Sequence, residues 1–403
     1  MKGKETGENK KIPTINVGIF GHIDHGKTTL LERLSGKWAS THSEELKRGI
    51  TIKLGYADII IYKDNNGYNT EKKGEIVRHV SFIDAPGHEM LMATTLSGAA
   101  LIDAAILVVA ANEGIKPQTY EHLMALQAKK VEKLIVVQNK IDLVTSEQAK
   151  KNYQDIKKFL GEHYRNVEII PVSAQQRVNI DEVLRAIAEI PEPKRNFDKE
   201  PIFIVARSFD INKPGIKPKE LHGVVLGGSL KQGKFRAGDE IEIKPGRAVK
   251  EKESAEKKYF PIKTRIVSLF NGSIKVNELT PGGSMSIETE LDMSLGKGDL
   301  LSGNLVSLFG KLPEAVSEVK LKYNLFPRVF GISSHANVEP IKQKEILMLS
   351  INASITGGTI NFVDKEHLTI SLKVPTILFK GDNVGIARNV LGHWRLIGYG
   401  EIL

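Results

Sequence analysis

The chain has 403 residues, of which 41% are hydrophobic and 26% charged, an ordinary balance for a soluble globular protein. One hydrophobic core rarely supports a chain of this length, so we expect two or three domains. The excess of 57 basic over 48 acidic side chains gives a formal charge of +9, which suits a polyanionic partner. Because the sequence contains no cysteine, disulfides, thiol nucleophiles and cysteine-ligated metal sites are excluded.

The N-terminal segment Met1–Lys11 is polar and charged, without the apolar stretch of a signal peptide. The most apolar run, Ala99–Ala111, contains Asp103 and is too short to cross a bilayer. We therefore expect a disordered tail over residues 1–12 and a soluble, cytoplasmic protein with no membrane partner.

From Pro13 to about Pro191, apolar strand patterns alternate with helix patterns. Such alternation predicts a doubly wound, mostly parallel sheet. The predicted strands are Ile15–Phe20, Ile59–Tyr62, Val77–Ile83, Ala104–Val109, Leu134–Val137 and Val167–Val172. The predicted helices are Lys27–Gly36, Leu91–Ala100, Thr119–Lys129, Ser146–Leu160 and Ile180–Ile190.

After the proline-bearing linker Ile190–Arg195, short β-branched runs between glycines and turn residues predict two small β-barrels. The first set of runs is Phe203–Ala206, Gly223–Leu226, Glu240–Ile243, Ile262–Ser268 and Ser284–Ile287. The second set is Glu318–Tyr323, Glu345–Ile351, Ile355–Phe362, Leu368–Leu372 and Asn383–Ala387. We expect an α/β domain over residues 13–195 and β-barrels over 196–312 and 313–403.

The segment Gly21–Thr28, directly after the first strand, fits the phosphate-loop pattern G-x-x-x-x-G-K-[ST]. Its glycines let the backbone fold around a phosphate, so that successive N–H groups face the anion. Lys27 can reach the β- and γ-phosphates, and the Thr28 hydroxyl can join a Mg²⁺ ion. Taken alone, the motif also fits a glycine-rich turn without a ligand.

Three further segments, each at a strand end, complete a guanine-nucleotide pattern. In Asp84-Ala85-Pro86-Gly87, the carboxylate can hold the water shell of Mg²⁺ and the Gly87 N–H can approach a γ-phosphate. In Asn139-Lys140-Ile141-Asp142, the Asp142 carboxylate can accept both N1–H and N2–H₂ of guanine, a donor pair that adenine lacks. In Ser173-Ala174-Gln175, backbone N–H groups can meet guanine O6.

All four segments in this order predict a protein that binds GTP or GDP with Mg²⁺. The predicted nucleotide-binding residues are Asp24, His25, Gly26, Lys27, Thr28, Thr29, Gly87, Asn139, Lys140, Asp142, Ser173, Ala174 and Gln175.

Arg48–Ile52 and Asp84–Glu89 resemble the two switch segments of translational GTPases. The resemblance implies that Thr51 joins the Mg²⁺ when GTP is bound, and that His88 is the catalytic residue that orients the attacking water. It also implies that Ile23 and Ile50 form an apolar gate, which keeps His88 away until an activator docks. The alternative for His88 is a capping or core histidine at the start of the next helix.

Longer motifs resemble the gamma subunits of archaeal and eukaryotic translation initiation factor 2, from about Pro13 to the end of the chain. These motifs are His42–Asp58, Leu91–Ala99, Val205–Gly215 and Trp394–Gly400. The resemblance implies GTP-dependent delivery of initiator methionyl-tRNA to the small ribosomal subunit, with GTP hydrolysis as the release switch. It also implies alpha and beta subunits as partners, with the 5′ end of mRNA as a further candidate.

Members of this family usually carry a cysteine zinc knuckle where this chain has Lys63–Gly74, which contains neither Cys nor His. Since a structural zinc site needs four such ligands, we expect no zinc and instead a short polar hairpin or disordered loop. The family also implies a second Mg²⁺, held by the Asp24 side chain and the Gly49 carbonyl. A carboxylate beside phosphates independently favours a cation there, although Asp24 could equally cap a backbone N–H.

Two other functions stay open. One is an elongation-type carrier such as a selenocysteine-specific factor, a class that usually has a fourth domain. The other is a scaffold that binds GTP and 5′-triphosphorylated RNA ends, with incidental hydrolysis. The basic residues of the second domain, which we expect on one loop region, suit either a solvated loop or phosphate contact with tRNA. These residues are Arg247, Lys250, Lys252, Lys257, Lys258, Lys263 and Arg265.

Overall fold

The computed structural model describes residues 12–36, 55–84, 92–212, 215, 217, 219, 221–250, 257–272, 274–329 and 336–403. A seven-stranded mixed sheet with helices is followed by two closed β-barrels. This architecture confirms the predicted fold class, an α/β nucleotide-binding sheet succeeded by two barrels.

The N-terminal sheet has the strand order β3-β2-β4-β1-β5-β6-β7, with five parallel strands and an antiparallel edge. Its strands are β1 (Thr14–Gly21), β2 (Gly55–Asp64), β3 (Gly67–Asn69), β4 (Glu75–Asp84), β5 (Ala104–Ala110), β6 (Lys133–Asn139) and β7 (Glu168–Pro171). The register pairs Gly21 with Val108 and Ala110 with Asn139. The carboxyl ends of the parallel strands, where the predicted motifs begin, therefore meet at one edge of the sheet.

Helices cover both faces of this sheet, as a parallel sheet with apolar faces requires. They are α1 (Lys27–Ser35), α2 (Met92–Ala99), α3 (Pro117–Ala128), α4 (Ser146–Leu160) and α5 (Ile180–Glu189). Leu30 of α1 and Ile187 of α5 share one buried cluster. Leu123 of α3 and Ile156 of α4 belong to the cluster on the opposite face. The sheet thus has an apolar cluster and covering helices on each face, as the predicted doubly wound arrangement requires.

The segment that replaces the family's zinc knuckle forms a short hairpin, one of the two predicted alternatives. β2 pairs antiparallel with β3 from Tyr62↔Asn69 to Asp64↔Gly67. The Asp64 carboxylate accepts a hydrogen bond from the Asn66 N–H at 2.8 Å, which closes the turn. The absence of zinc itself stays a prediction.

The first barrel is closed by pairing of β11 with β12, and β13 extends from its edge. Its strands are β8 (Ile202–Phe209), β9 (Val225–Gln232), β11 (Glu240–Lys250), β12 (Lys257–Asn271), β13 (Ile274–Val276), β15 (Met285–Thr289) and β16 (Leu305–Leu308). A separate two-stranded ribbon consists of β10 (Phe235–Arg236) and β14 (Glu278–Leu279).

The prediction that the basic residues of this barrel lie on one loop region was wrong. Within the described residues they lie on two paired strands, with Arg247 and Lys250 on β11 and Lys257, Lys258, Lys263 and Arg265 on β12; Lys252 lies outside the described residues. Side chains of a strand point alternately to its two faces, so a solvent-exposed pair of strands can carry many charged residues. The charge pattern alone therefore does not distinguish such strands from a loop.

The second barrel is a closed ring in the order β17-β20-β19-β18-β21-β22. Its strands are β17 (Val316–Leu325), β18 (Ile346–Ile351), β19 (Ser354–Val363), β20 (His367–Thr376), β21 (Asn383–Val390) and β22 (His393–Ile402). The sequence pattern missed β22, which pairs with both β17 and β21 and closes the ring.

Polar contacts, buried for Asn16 and half-buried for Lys129, join the α/β domain to both barrels. The Asn16 amide donates to the Ser229 hydroxyl at 3.0 Å and accepts from the Gly283 N–H at 2.8 Å, both in the first barrel. The Lys129 amine, directly after α3, donates to the carbonyl oxygens of Ser350 and Asn352 in the second barrel at 2.9 and 3.3 Å. Because buried polar groups tolerate little displacement, these contacts fix how the three units pack.

The Lys129 amine makes the stability of this packing dependent on pH. Burial lowers its pKa to about 7, with Lys231 adding to the lowering and Asp382 opposing it. The unfolded chain keeps this proton to about pH 10, so unfolding takes up a proton between about pH 7 and 10. The free energy of unfolding should therefore rise with pH in this window, by at most about 1.4 kcal/mol per pH unit.

Urea unfolding of wild type and Lys129→Met at pH 7, 8.5 and 10 checks this prediction. The free energy of unfolding of wild type, relative to that of Lys129→Met, should increase as the pH rises. Lys130→Met is the matched control, because Lys130 is exposed and pairs with Glu401 at the surface, at 2.9 Å. If the difference in unfolding free energy between wild type and Lys129→Met does not change with pH, the Lys129 amine is not neutral in the folded protein.

In the described part of the chain, no α-helix combines the length and the apolar character that a membrane span requires.

Candidate functional site

The phosphate loop wraps between β1 and α1 through three backbone positions with positive φ. These are Gly21 (φ 139°), Asp24 (φ 61°) and Gly26 (φ 89°). At Gly21 a Cβ atom would lie 2.3 Å from the Val108 carbonyl oxygen of β5, so only glycine fits there. Left-handed positions that alternate with right-handed ones turn successive N–H groups toward one side, the geometry that holds an anion. The N-terminal end of α1 adds its positive dipole to this side.

Lys27 is the first residue of α1 and is 7% exposed. Its amine donates to the His22 carbonyl oxygen across the loop at 2.7 Å. Burial lowers the Lys27 pKa to about 8, and the carboxylates of Asp84 and Asp24 oppose this shift. The amine thus lies over the loop with one carbonyl partner, which a phosphate oxygen can replace.

Two histidines of the loop are held neutral. Burial lowers the pKa of His25 to about 4, and burial together with Lys27 lowers that of His22. Their ring centroids lie 5.2 Å apart in an edge-to-face arrangement. The His25 Nδ1 lies 3.3 Å from the Val108 carbonyl oxygen. Neutral rings leave Lys27 and the backbone amides as the source of positive potential in the loop.

Asn139, at the end of β6, ties the loop to the segment predicted to contact the base. Its side-chain amide donates to the His25 carbonyl oxygen at 3.0 Å, and its Oδ1 accepts from the Ala174 N–H at 3.0 Å. Asn139 is 2% exposed. The Ser173 N–H is also used within the protein, by the Val178 carbonyl oxygen. The predicted contact with guanine O6 therefore rests on Gln175, or on Ala174 sharing its N–H between two acceptors.

Asp142 lies exposed in the 3-10 turn Ile141–Leu143, directly after β6. Lys140 enters this turn with φ 61°, and its amine pairs with the Glu113 carboxylate at 3.3 Å. The turn therefore starts from a fixed backbone position beside Asn139. An exposed carboxylate at this sheet edge is free to accept two hydrogen bonds from a base.

The Mg²⁺ position can be judged from the donor atoms that the chain supplies. Asp84, the last residue of β4, is 1% exposed and aligns with Ile19 of β1. Thr28 and Thr29 lie half-buried in the first turn of α1. A carboxylate and a hydroxyl are the hard oxygen ligands that Mg²⁺ prefers, so these residues fit the ion. Asp24 is exposed on the loop.

Several predicted residues lie outside the described residues. These are the switch residues Gly49, Ile50 and Thr51, and Gly87 and His88 after Asp84. Ile23, the other predicted gate residue, is half-buried, and its N–H donates to the Gln118 side chain at 3.1 Å. The structure thus brings together the phosphate loop, Asp84, Asn139 and the Ser173 segment.

Two residues of α3 that no sequence motif marked hold the backbone of the phosphate loop. His122 Nδ1 accepts the Gly21 N–H at 2.8 Å, and Gln118 Oε1 accepts the Ile23 N–H. A weak signal was present, since two polar residues four apart on one face of a largely buried helix need partners. The pairs are 101 and 95 residues apart in sequence, so no local pattern identifies the partner.

Comparison with known proteins agrees with this geometry. Residues 12–193 match the family model of the elongation factor Tu GTP-binding domain, and residues 317–402 that of the C-terminal domain of initiation factor eIF2 gamma. The translation initiation factor 2 subunit gamma of Pyrococcus furiosus is 49% identical over 410 residues, which cover 98% of this chain and 99% of that protein. This chain belongs to the translation initiation factor 2 gamma-subunit family.

The Aeropyrum pernix member of the gamma-subunit family is 46% identical, covering 98% of this chain and 100% of its own length. Together with the GTP-binding domain match, this membership makes the chain a translational GTPase, a family that binds guanine nucleotides and Mg²⁺. The resemblance seen in the sequence motifs is confirmed.

Solved structures at lower identity share the fold. A bacterial selenocysteine-specific elongation factor superposes with a TM-score of 0.76 at 24% identity, covering 97% of this chain but only 58% of that one. The elongation factor SelB of Methanococcus maripaludis, in complex with the GTP analogue GppNHp, gives 0.73 at 23% identity and covers 97% and 79%. At such identities the likeness concerns the fold alone.

Proposed function

We propose that this chain binds initiator methionyl-tRNA in its GTP state and delivers it to the small ribosomal subunit, with GTP hydrolysis as the release step. One observation carries the proposal. The phosphate loop, Asp84 and the Asn139–Asp142 turn converge at one sheet edge, in a chain 49% identical to a translation initiation factor 2 subunit gamma. Because the chain belongs to an initiation-factor family, a GTPase site here supports a nucleotide-controlled role in translation initiation rather than in elongation.

In this proposal the phosphates lie on the loop from Asp24 to Thr29. The backbone N–H groups around Gly26 and the α1 N-terminus bind the phosphate oxygens, and Lys27 exchanges the His22 carbonyl for the β- and γ-phosphates. Thr28 and, through water, Asp84 would hold Mg²⁺, which when bound would supply charge neutralisation for the phosphate oxygens.

The base is selected at the other end of the site. Asp142 accepts the N1–H and N2–H₂ groups of guanine, while the Ser173–Gln175 segment faces O6. Asn139 holds the Ser173–Gln175 segment against the phosphate loop, since it contacts both, and Lys140 begins the turn that carries Asp142. This arrangement rejects adenine, which would leave the carboxylate without donors.

The switch residues complete the cycle. Thr51 would join the Mg²⁺ and respond to the γ-phosphate, and the Gly87 N–H would contact that phosphate. His88 orients the attacking water once the gate of Ile23 and Ile50 opens. In the GTP state the switches and the two barrels, which we place at residues 196–312 and 313–403 after an α/β domain at 13–195, form one tRNA-binding surface. Hydrolysis relaxes this surface and releases the tRNA.

The alpha and beta subunits of the same factor and the small ribosomal subunit are the proposed protein partners. The 5′ end of mRNA is a further candidate ligand. A surplus of basic over acidic side chains, with a formal charge of +9, favours such polyanionic partners. Because these partners act in the cytoplasm, we place the chain there as well.

A second Mg²⁺, held by Asp24 and the Gly49 carbonyl, gives a kinetic prediction. Asp24→Ala should slow single-turnover GTP hydrolysis by about tenfold and remove the weaker phase of its Mg²⁺ titration, because one ion that stabilises transition-state charge is lost. GTP affinity should change by no more than about twofold, since Lys27, Thr28 and the first ion remain. Asp155→Ala, an exposed change on α4, is the control. Unchanged hydrolysis in Asp24→Ala would argue against this second ion.

The nucleotide dependence of tRNA binding tests the proposed function. The chain, with and without its alpha and beta subunits, is loaded with GppNHp or GDP and titrated with initiator methionyl-tRNA in a filter-binding assay at fixed salt. Binding should be at least about tenfold tighter with GppNHp, the coupling expected of a two-state switch. Equal affinities in both nucleotide states would refute a GTP-controlled carrier.

A further inference from the structure

Helix α3 contacts the phosphate loop with one face. His122 Nδ1 accepts the Gly21 N–H at 2.8 Å, and Gln118 Oε1 accepts the Ile23 N–H at 3.1 Å. Gly21 and Ile23 begin the loop, so these two side chains set where the backbone leaves β1. Gly21 is the last residue of β1 and Ile23 lies in the loop, so α3 supplies the acceptors for two backbone N–H groups at the point where the strand ends.

His122 is well placed for this role. It is 3% exposed, and its ring packs edge-to-face against Phe20 with centroids 5.8 Å apart. Since Nδ1 accepts the Gly21 N–H, the ring is neutral, with its proton on Nε2. A buried, oriented acceptor of this kind holds one backbone amide in one position.

The same helix is fixed to the second barrel by residues next to those that hold the loop. Glu121 accepts from the Arg395 guanidinium of β22 at 2.7 Å, with the two side chains 2% and 5% exposed. Arg328 lies over the Tyr120 ring, 5.3 Å from its centroid. At the end of the helix, Lys129 donates to the barrel carbonyls of Ser350 and Asn352.

Contacts with the loop and contacts with the barrel therefore alternate along about three turns of a single helix. Glu121 and His122 are consecutive residues, so a movement of α3 toward or away from the barrel also moves the acceptor of the Gly21 N–H. Because an α-helix resists internal deformation, the helix moves as a unit rather than absorbing the shift.

We propose that α3 couples the docking of the second barrel to the phosphate loop, with His122 as the positioning residue that slows nucleotide release. The inference rests on the nucleotide site proposed above and adds a control over how long the nucleotide stays. A partner that loosens the barrel from α3 would speed nucleotide exchange without touching the nucleotide.

The test measures release of a fluorescent GDP analogue from the full-length chain after a chase with excess GDP. His122→Leu keeps the bulk of the side chain but removes the acceptor, so release should be faster by about tenfold, the factor that one ordinary hydrogen bond supplies. His122→Asn places an oxygen near the position of Nδ1 and should restore the rate to within about twofold of wild type. A merely structural role would not separate these two variants.

The barrel side is tested with Arg395→Met, or with Arg395→Lys if the former does not fold. Release should be faster by about three- to tenfold, because the buried Glu121 loses the Arg395 guanidinium and the helix loosens. If both changes act on one coupled element, His122→Leu with Arg395→Met should be no faster than the faster single variant. Lys130→Met breaks the exposed pair with Glu401 between the same two units and is the matched control, with an unchanged rate.

The outcomes separate the two proposals. If the wild-type chain does not bind the GDP analogue, the nucleotide site is wrong and the coupling falls with it. If wild type binds but His122→Leu releases at the wild-type rate, or if the two effects multiply in the double variant, the site stands and the coupling is overturned. Faster release in His122→Leu, rescue in His122→Asn and a non-additive double variant establish it.

Discussion

Asp142→Asn is expected to weaken GTP binding by about a hundredfold or more and to create measurable binding of XTP. The exposed Asp142 carboxylate would accept two hydrogen bonds from guanine, and charge-assisted hydrogen bonds each contribute about 1.5–3 kcal/mol. An asparagine amide presents one acceptor and one donor edge, so one of the two guanine donors faces another donor. Xanthine, which has a carbonyl at C2 in place of the amino group, matches the amide instead.

Equilibrium titration of wild type and Asp142→Asn with fluorescent GDP and XDP measures this exchange of specificity. Asp155→Asn makes the same chemical change at an exposed position of α4 and should leave both affinities unchanged. A variant that loses GDP without gaining XDP would show damage to the turn. A variant that keeps GDP affinity would show that Asp142 does not contact the base.

Asn139→Ala should lower both stability and nucleotide affinity, because one side chain holds two segments of the site. Removing it leaves the His25 carbonyl and the Ala174 N–H without their 3.0 Å partners in a position that is 2% exposed. Each buried polar group left unsatisfied costs about 1–3 kcal/mol. We expect about 2–5 kcal/mol of lost stability and nucleotide affinity lower by about a hundredfold.

Asn152→Ala separates the two effects. Asn152 is also buried, and its Oδ1 accepts from the Gln138 amide at 2.8 Å, but it contacts neither the phosphate loop nor the Ser173 segment. Urea unfolding and nucleotide titration of both variants should show lost stability in each, and lost affinity in Asn139→Ala alone. Parallel losses of affinity would mean that Asn139 acts only through general stability.

Local patterns predicted the α/β domain because its strands are continuous apolar runs and its motifs follow them directly. Gly21, Asp84 and Asn139 are the last residues of their strands, and parallel strands bring such ends to one edge, while Lys27 follows the first of them at the start of α1. The chemistry of the site could therefore be predicted from the residue types of the motifs and from their order along the chain. The family resemblance added the switch residues and the tRNA.

Other features depend on partners that are far apart in sequence. His122 and Gln118 are ordinary helix residues until the fold places them behind the phosphate loop. β22 closes a barrel by pairing with β17, which begins more than seventy residues earlier. The basic ribbon of β11 and β12 has the charge pattern of a loop, and only cross-strand pairing distinguishes it. Thr51 and His88 lie outside the described residues, so their roles rest on the sequence motifs.

We propose that this GTPase selects initiator methionyl-tRNA. The most direct test is a competition experiment with the GppNHp-loaded chain, in which labelled initiator methionyl-tRNA is displaced by unlabelled initiator tRNA, elongator aminoacyl-tRNAs or 5′-triphosphorylated RNA at one stated salt concentration. We expect initiator methionyl-tRNA to compete at least about tenfold better than the other RNAs. Stronger competition by a selenocysteine-type elongator tRNA or by the triphosphorylated RNA would contradict it and favour one of the two other functions.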